Sequence, residues 1–290
     1  MITAEYKRYL SSKFNIALFL CMTACALLSV IASLREHAAW REQLLAPAED
    51  LNVPFATEIV NGFNGISLIF DFFMSDAWSI FVLVLLGGFG VIIGGVTWKN
   101  LHGGFGNLLV VRTTYRNYLT NLLIAQAAYI ATIIAAFFLL FTVIAVTLYP
   151  PDLAYEIYSG YFGGMSLYEF ILYGMFQYFI LLMFIIPTML ITSLITIAVK
   201  NRFLIQAVPI LLYIVPHLIG STIGNISKIF ARITMLFTSE HFLRLPSVLF
   251  TQSWPALEII PMAVTLPALL IIIALILYRR NLKIYKGAYL

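Results

Sequence analysis

Residues 98–122 read WKNLHGGFGNLLVVRTTYRNYLTNL, and long apolar runs stand on either side of them. The stretch is polar, glycine-bearing and basic, with Lys99, Arg112 and Arg116 and no acidic residue. A membrane-spanning helix cannot hold such a segment, so it reads as a loop joining two spans. Short loops rich in Lys and Arg stay on the cytoplasmic side, because carrying their charge across the bilayer is costly. The segment is therefore expected to face the cytoplasm. Within it Leu108, Leu109, Val110 and Val111 form an apolar knot directly after Gly103, Gly104, Phe105 and Gly106. An exposed apolar patch rimmed by charge marks a docking surface.

The composition around this loop sets the class. The chain has 290 residues, 62% hydrophobic and only 10% charged, and its mean hydropathy is +0.96. A soluble domain carries about 25% charged residues, so this is an integral membrane protein. Each span needs about 20 apolar residues, which leaves room for six. The runs are continuous and far longer than the ~10-residue alternating segments of a β-barrel. The expected fold is an all-α bundle of six transmembrane helices with an N-terminal amphipathic interface helix. The net charge of +4 reflects basic residues flanking apolar runs, which is topology and not a nucleic-acid surface. Cys21 and Cys25, four apart in the first run, share a helix face without other metal ligands and read as packing residues.

Taken in order, residues 1–13 place Ile2, Tyr6, Tyr9 and Leu10 on a stripe continued by Phe14, opposite Lys7, Arg8 and Lys13. That pattern is an interface helix. Spans are expected at about 14–34, 77–96, 119–148, 168–199, 203–219 and 257–278, forming one transmembrane domain over 1–290, with the cytoplasmic loop at 98–118. Residues 35–76 are rich in acid, as an outer segment is, and their mixed apolar part from Leu51 to Phe73 reads as a re-entrant or surface-lying element. Gly90 and Gly94 make a G-x-x-x-G spacing for close helix packing. Pro187, Pro209 and Pro216 mark kinks that could shape a pathway. Residues 221–255 read as an outer loop, and Arg279, Arg280, Lys283 and Lys286 hold the C-terminal segment inside. Both termini are thus expected in the cytoplasm.

The absent chemistry is informative. Proton and sodium carriers place ionisable groups within their spans, but here Glu169, Glu258 and His217 stand only near span ends. There is no H-E-x-x-H helix, no G-x-S-x-G elbow and no G-x-x-x-x-G-K-[ST] phosphate loop. No enzyme activity, cofactor or metal is expected on this chain, and any ATP that drives it is hydrolysed on another.

With its loop between spans two and three, Gly106-Asn107-Leu108-Leu109-Val110-Val111-Arg112-Thr113-Thr114-Tyr115-Arg116-Asn117-Tyr118-Leu119, the chain resembles a bacterial permease subunit of the type-2 ATP-binding cassette (ABC) transporters. In that family the loop is a coupling helix docked on the ATPase. Two departures stand out: Asn100 and His102 occupy the region of the family's acidic residue, and Thr113-Thr114-Tyr115 lacks its proline. The resemblance implies an ABC-type ATPase subunit carrying ATP and Mg, a second permease copy or sister permease, and surrounding membrane lipid as partners. It implies that Gly103, Gly104 and Gly106 let the loop turn. Leu108 to Val111 would fill an ATPase cleft, with Asn107 beside them among the coupling residues, and Arg112 and Arg116 would pair with its acidic rim or with lipid phosphates. The cargo would be a hydrophobic or amphipathic peptide, drug or lipid crossing the cytoplasmic membrane. A sensor or scaffold subunit, or a secondary carrier of hydrophobic compounds, are the rival readings, the latter without the internal repeat it calls for.

Overall fold

A computed structural model describes residues 2–44, 53–102, 114–151, 157–158, 164–224, 228–250 and 256–288. Within them lie α1 (Ile2–Leu10), α2 (Phe14–Leu44), α3 (Val53–Gly62), α4 (Gly65–Met74), α5 (Asp76–His102), α6 (Tyr115–Leu148) and α7 (Leu167–Ile195). They continue with α8 (Arg202–Gly224), α9 (Lys228–Met235), α10 (Ser239–Leu243), α11 (Leu245–Phe250) and α12 (Ala256–Ala288). A two-residue antiparallel ribbon pairs β1 (Ile157–Tyr158) with β2 (Gly164–Met165). The protein is an all-α membrane protein: α2, α5, α6, α7, α8 and α12 are the six helices long and apolar enough to cross a bilayer.

Several helices outrun the spans expected from hydropathy alone. The first continues to Leu44 instead of ending near residue 34, because eight of the ten residues of Arg35–Leu44 are Arg, Glu, Ala, Gln or Leu, good helix formers that need no lipid around them. With 34 residues, α6 is about 51 Å long against a hydrocarbon core of about 30 Å. Its first turns therefore extend beyond the apolar layer. The fifth span runs on to Gly224, and the segment expected to be an outer loop at 221–255 is largely helical, as α9, α10 and α11. Phe242, Leu243 and Leu245 from that segment are buried in the core.

Short elements also insert at the same end. Helix α4, GISLIFDFFM, buries Ile66, Leu68, Ile69, Phe70, Phe72 and Phe73, so it is covered on every side. Asn64 caps it, its Oδ1 accepting from the Ile66 and Ser67 amides. A helix end placed among apolar neighbours requires such a cap, because water is absent. Gly65 fits where a Cβ would stand 2.2 Å from the Ala145 carbonyl oxygen, and its amide donates to the Tyr149 carbonyl at 2.8 Å.

Hydrogen bonds fix which ends of the helices meet. At one end Trp98 Nε1 donates to the Lys200 carbonyl at 3.0 Å, the Thr120 and Tyr278 hydroxyls pair at 2.9 Å, and Asn281 donates to the Leu194 carbonyl at 2.9 Å. Helix α1 joins this end through Tyr9, bonded to Gln126. At the other end the Ser29 and Ser75 hydroxyls pair at 3.1 Å, and Arg244 lies 3.2 Å from Glu240 and 3.8 Å from Asp76. Lys99, Arg116, Lys200, Arg202, Arg279 and Arg280 all fall at the first end. Among the described residues its sole acid is Glu5.

Candidate functional site

The proposed coupling residues Gly103, Gly104, Gly106, Asn107, Leu108, Leu109, Val110, Val111 and Arg112 lie outside the described residues. The structure does place their two stems. The loop is narrower than 98–118: α5 stays helical through His102 and α6 begins at Tyr115. On the first stem the Trp98 ring stacks on His102 with centroids 5.0 Å apart. On the second, the Thr114 hydroxyl accepts from the Asn117 amide at 3.4 Å and caps the helix. Arg116 is exposed in the first turn of α6.

Both stems run without a break into a buried polar hub centred on Gln126, which is fully buried in α6. Gln126 Nε2 donates to the Tyr9 hydroxyl at 2.9 Å and to Thr97 Oγ1 at 3.1 Å, and its Oε1 accepts from Ser193 Oγ at 2.8 Å. One amide thus ties α1, α5, α6 and α7 together. The Tyr129 hydroxyl donates to Asn15 Oδ1, and Asn15 Nδ2 donates to the Tyr9 and Leu10 carbonyls at 2.9 and 2.8 Å, which fixes the α1–α2 corner. Burial pushes the Tyr9 phenol up to about 12, against the lowering effect of Gln126 and Thr97. The phenol therefore stays neutral and available as a donor.

One turn closer to the loop the hub is incompletely bonded. Tyr118 Oη, Asn100 Nδ2 and Glu5 Oε2 are buried without a hydrogen-bond partner among the described residues. The Asn100 amide stands toward the Tyr118 hydroxyl without reaching hydrogen-bond geometry. Glu5 is 5% exposed, and its other oxygen lies 3.8 Å from Arg8. Burial raises its carboxyl above the ordinary value, and Arg8 opposes this only in part. On the stripe of helix α1, Tyr9 enters the bundle, where it bonds Gln126, and Ile2 and Leu10 stay exposed, while Glu5 from outside the stripe is buried as well.

Midway along α5 the backbone loosens into a π-helical turn at Gly90–Gly94. Such turns insert a residue into the hydrogen-bond ladder and recur at functional positions. Here it faces α8 within the same chain. A Cβ on Gly90 would stand 2.4 Å from the Gln206 carbonyl and 3.3 Å from Pro209 Cγ, and one on Gly94 would stand 3.3 Å from Ile205 Cγ2. The structure thus gathers Gly90, Gly94 and Pro209 into one contact. Pro216 is half-buried on the same helix, beside His217, whose Nδ1 lies 3.1 Å from Glu240 Oε2 at the far end. The remaining kink, Pro187, is buried in α7. It denies the Met183 carbonyl its usual partner and lines an apolar groove of about 660 Å³ between α6, α7 and α12.

Gln126 and Ser193 escaped a sequence reading that searched the spans for charge. The signal was present: Tyr118, Leu122, Ala125, Gln126 and Tyr129 recur at helical spacing along one face, and a lone amide inside an apolar run must find partners. Glu169 serves as a cap, its Oε2 accepting from the Ser166 amide and hydroxyl at 2.8 Å each. No protein family, curated protein or solved structure matches the chain.

Proposed function

We propose that the chain is the transmembrane subunit of a type-2 ABC transporter, moving a hydrophobic or amphipathic peptide, drug or lipid across the bacterial cytoplasmic membrane. ATP and Mg belong to a separate ATPase subunit, and a second permease copy or a sister chain completes the pathway. The observation that carries this reading is the continuity from loop to hub. Both stems of the 103–113 segment are helical, and both enter the Gln126 cluster that also holds α1 and α7. A push on the loop cannot be absorbed locally and passes to four helices at once. The π-helical turn at Gly90–Gly94 then supplies a place for the loop-side half of α5 to rotate against α8. Among the described residues the end bearing this loop holds Lys99, Arg116, Lys200, Arg202, Arg279 and Arg280 with Glu5 as its sole acid, which supports a cytoplasmic orientation.

The test is charge reversal of Arg112→Glu together with Arg116→Glu, with the protein reconstituted beside its ATPase. Membrane insertion and thermal stability should stay as in the parent while ATP-dependent transport falls to background. Transport at the parental rate would remove the loop from the coupling path.

A further inference from the structure

We propose that the groove between α6, α7 and α12 binds one anionic phospholipid from the leaflet at the loop end, with an acyl chain in the slot and its phosphate at Arg116 and Arg279. The inference stands independently of the ATPase reading. The slot, of about 660 Å³, is walled by side chains such as Leu123, Phe179, Met183, Leu190 and Leu275, and one side is open. From Phe179 to Leu194 along α7 is about 22 Å at 1.5 Å per residue. That is about one and a half times one leaflet of a hydrocarbon core about 30 Å thick. The groove therefore has the depth of a single acyl chain and its glycerol, measured from one face of the membrane.

Polar groups gather at one mouth only. The Thr120 and Tyr278 hydroxyls meet there at 2.9 Å; Thr120 Oγ1 donates to the Arg116 carbonyl at 2.9 Å, so it is the Tyr278 hydroxyl that can turn its proton toward a phosphate oxygen. Arg116 stands one turn before Thr120 on α6, and Arg279 one turn past Leu275 on α12, so each continues a row that lines the groove. Both are exposed, and neither guanidinium has an ion pair or hydrogen bond among the described residues. At this end none of the three helices carries an acid: α6 has none, and Glu169 and Glu258 sit at the opposite ends of α7 and α12. Two uncompensated cations above a single apolar slot match a phosphodiester with a net negative charge and a fatty chain. Basic pockets between helices on the cytoplasmic side recognise such headgroups. A zwitterionic lipid brings its own cation to the same place, and a free phosphate has no use for the slot.

The test is native mass spectrometry of the full chain in detergent. It is titrated with phosphatidylglycerol, with phosphatidylcholine of the same acyl chains, and with inorganic phosphate. One phosphatidylglycerol should be retained on the order of tenfold more tightly than phosphatidylcholine, since each basic residue near the surface is worth roughly fivefold in affinity. Arg279→Gln should cut that affinity about fivefold, while Arg279→Lys keeps it. Filling the slot from its exposed wall, by Leu275→Trp or independently by Ile124→Trp, should remove the tightly held lipid while thermal unfolding stays unchanged. Equal retention of the two lipids, or an Arg279→Gln variant that binds as the parent does, would overturn the site. Displacement of the lipid by inorganic phosphate would make it an anion site and overturn the lipid assignment.

Discussion

At the end away from the loop, Trp78 stands edge-on to Phe72 and Phe73 with centroids 5.6 and 5.1 Å away and stacks on Phe81 at 5.3 Å. At the loop end the corresponding depth of the bundle is filled by Gln126, Tyr9, Thr97 and Ser193, joined by hydrogen bonds. The aromatic end is closed further by inserted helices α4, α10 and α11, whereas the loop-side half of α5 begins at the glycines of a π-helical turn. Close-packed rings interdigitate in one arrangement and resist sliding. A network of hydroxyls and amides can exchange partners at modest cost, since hydrogen bonds between spans are worth only about 0.6–2 kcal/mol. The contrast assigns anchoring to one end and movement to the other.

Four substitutions probe that contrast, in order of effect. Trp78→Ala removes the centre of the aromatic cluster and should destabilise the whole bundle by roughly 3–5 kcal/mol, read as a large drop in thermal midpoint in detergent. A small drop would show that the aromatic end is not the anchor. Gln126→Leu deletes three hydrogen bonds at the movable end and, at the average of about 0.6 kcal/mol per bond, should cost about 2 kcal/mol globally. Amide exchange in α1 and in both loop stems should nonetheless quicken strongly, and exchange that stays slow would break the claim that the hub ties them.

Gly94→Ala adds one methyl at 3.3 Å from a side-chain carbon and favours regular helix by up to about 1 kcal/mol. Stability should hold or rise while transport falls, and a variant transporting at the parental rate would remove the hinge. The smallest effect belongs to Glu5. Its carboxyl keeps a proton to higher pH in the folded chain than in the unfolded one, so the folded state binds more protons above the ordinary Glu value of about 4.3. Docking of α1 is therefore tightest at acidic pH and weakens as pH rises through the folded-state value. Glu5→Gln should flatten the pH dependence of α1 exchange, and a pH dependence that persists unchanged would remove Glu5 from α1 docking.

How far the sequence discloses this arrangement depends on which force is acting. Continuous apolar runs mark the six spans, because burial in lipid requires about 20 apolar residues wherever a helix crosses. Helix ends are less legible: Arg35–Leu44 continues its span on helix propensity and Gly95–His102 on tertiary bonds of Thr97 and Trp98, which hydropathy does not register. The spacing of Gly90 and Gly94 announces a close approach, yet nothing in it names α8 as the partner, since that pairing comes from the tertiary contact with Gln206 and Pro209. Residues 239–250 read as a polar connection because Glu240, His241 and Arg244 interrupt them. Their apolar members Phe242, Leu243 and Leu245 nonetheless enter the core, while the charges pair at its rim. The hub is hidden for a similar reason: Tyr9, Thr97, Gln126 and Ser193 carry no charge and are scattered from residue 9 to residue 193, and only folding makes them neighbours.

The most direct test of the coupling idea is photo-crosslinking in the native membrane, with a reactive side chain placed at Leu109 in the loop and, as the control, at Leu139 on the lipid-exposed face of α6. A nucleotide hydrolase with a phosphate-binding loop should be captured from Leu109 and not from Leu139, and the Arg112→Glu, Arg116→Glu variant should lose it. Capture of no nucleotide hydrolase at Leu109, or equal capture at both positions, would contradict a loop that receives motion from an ATPase.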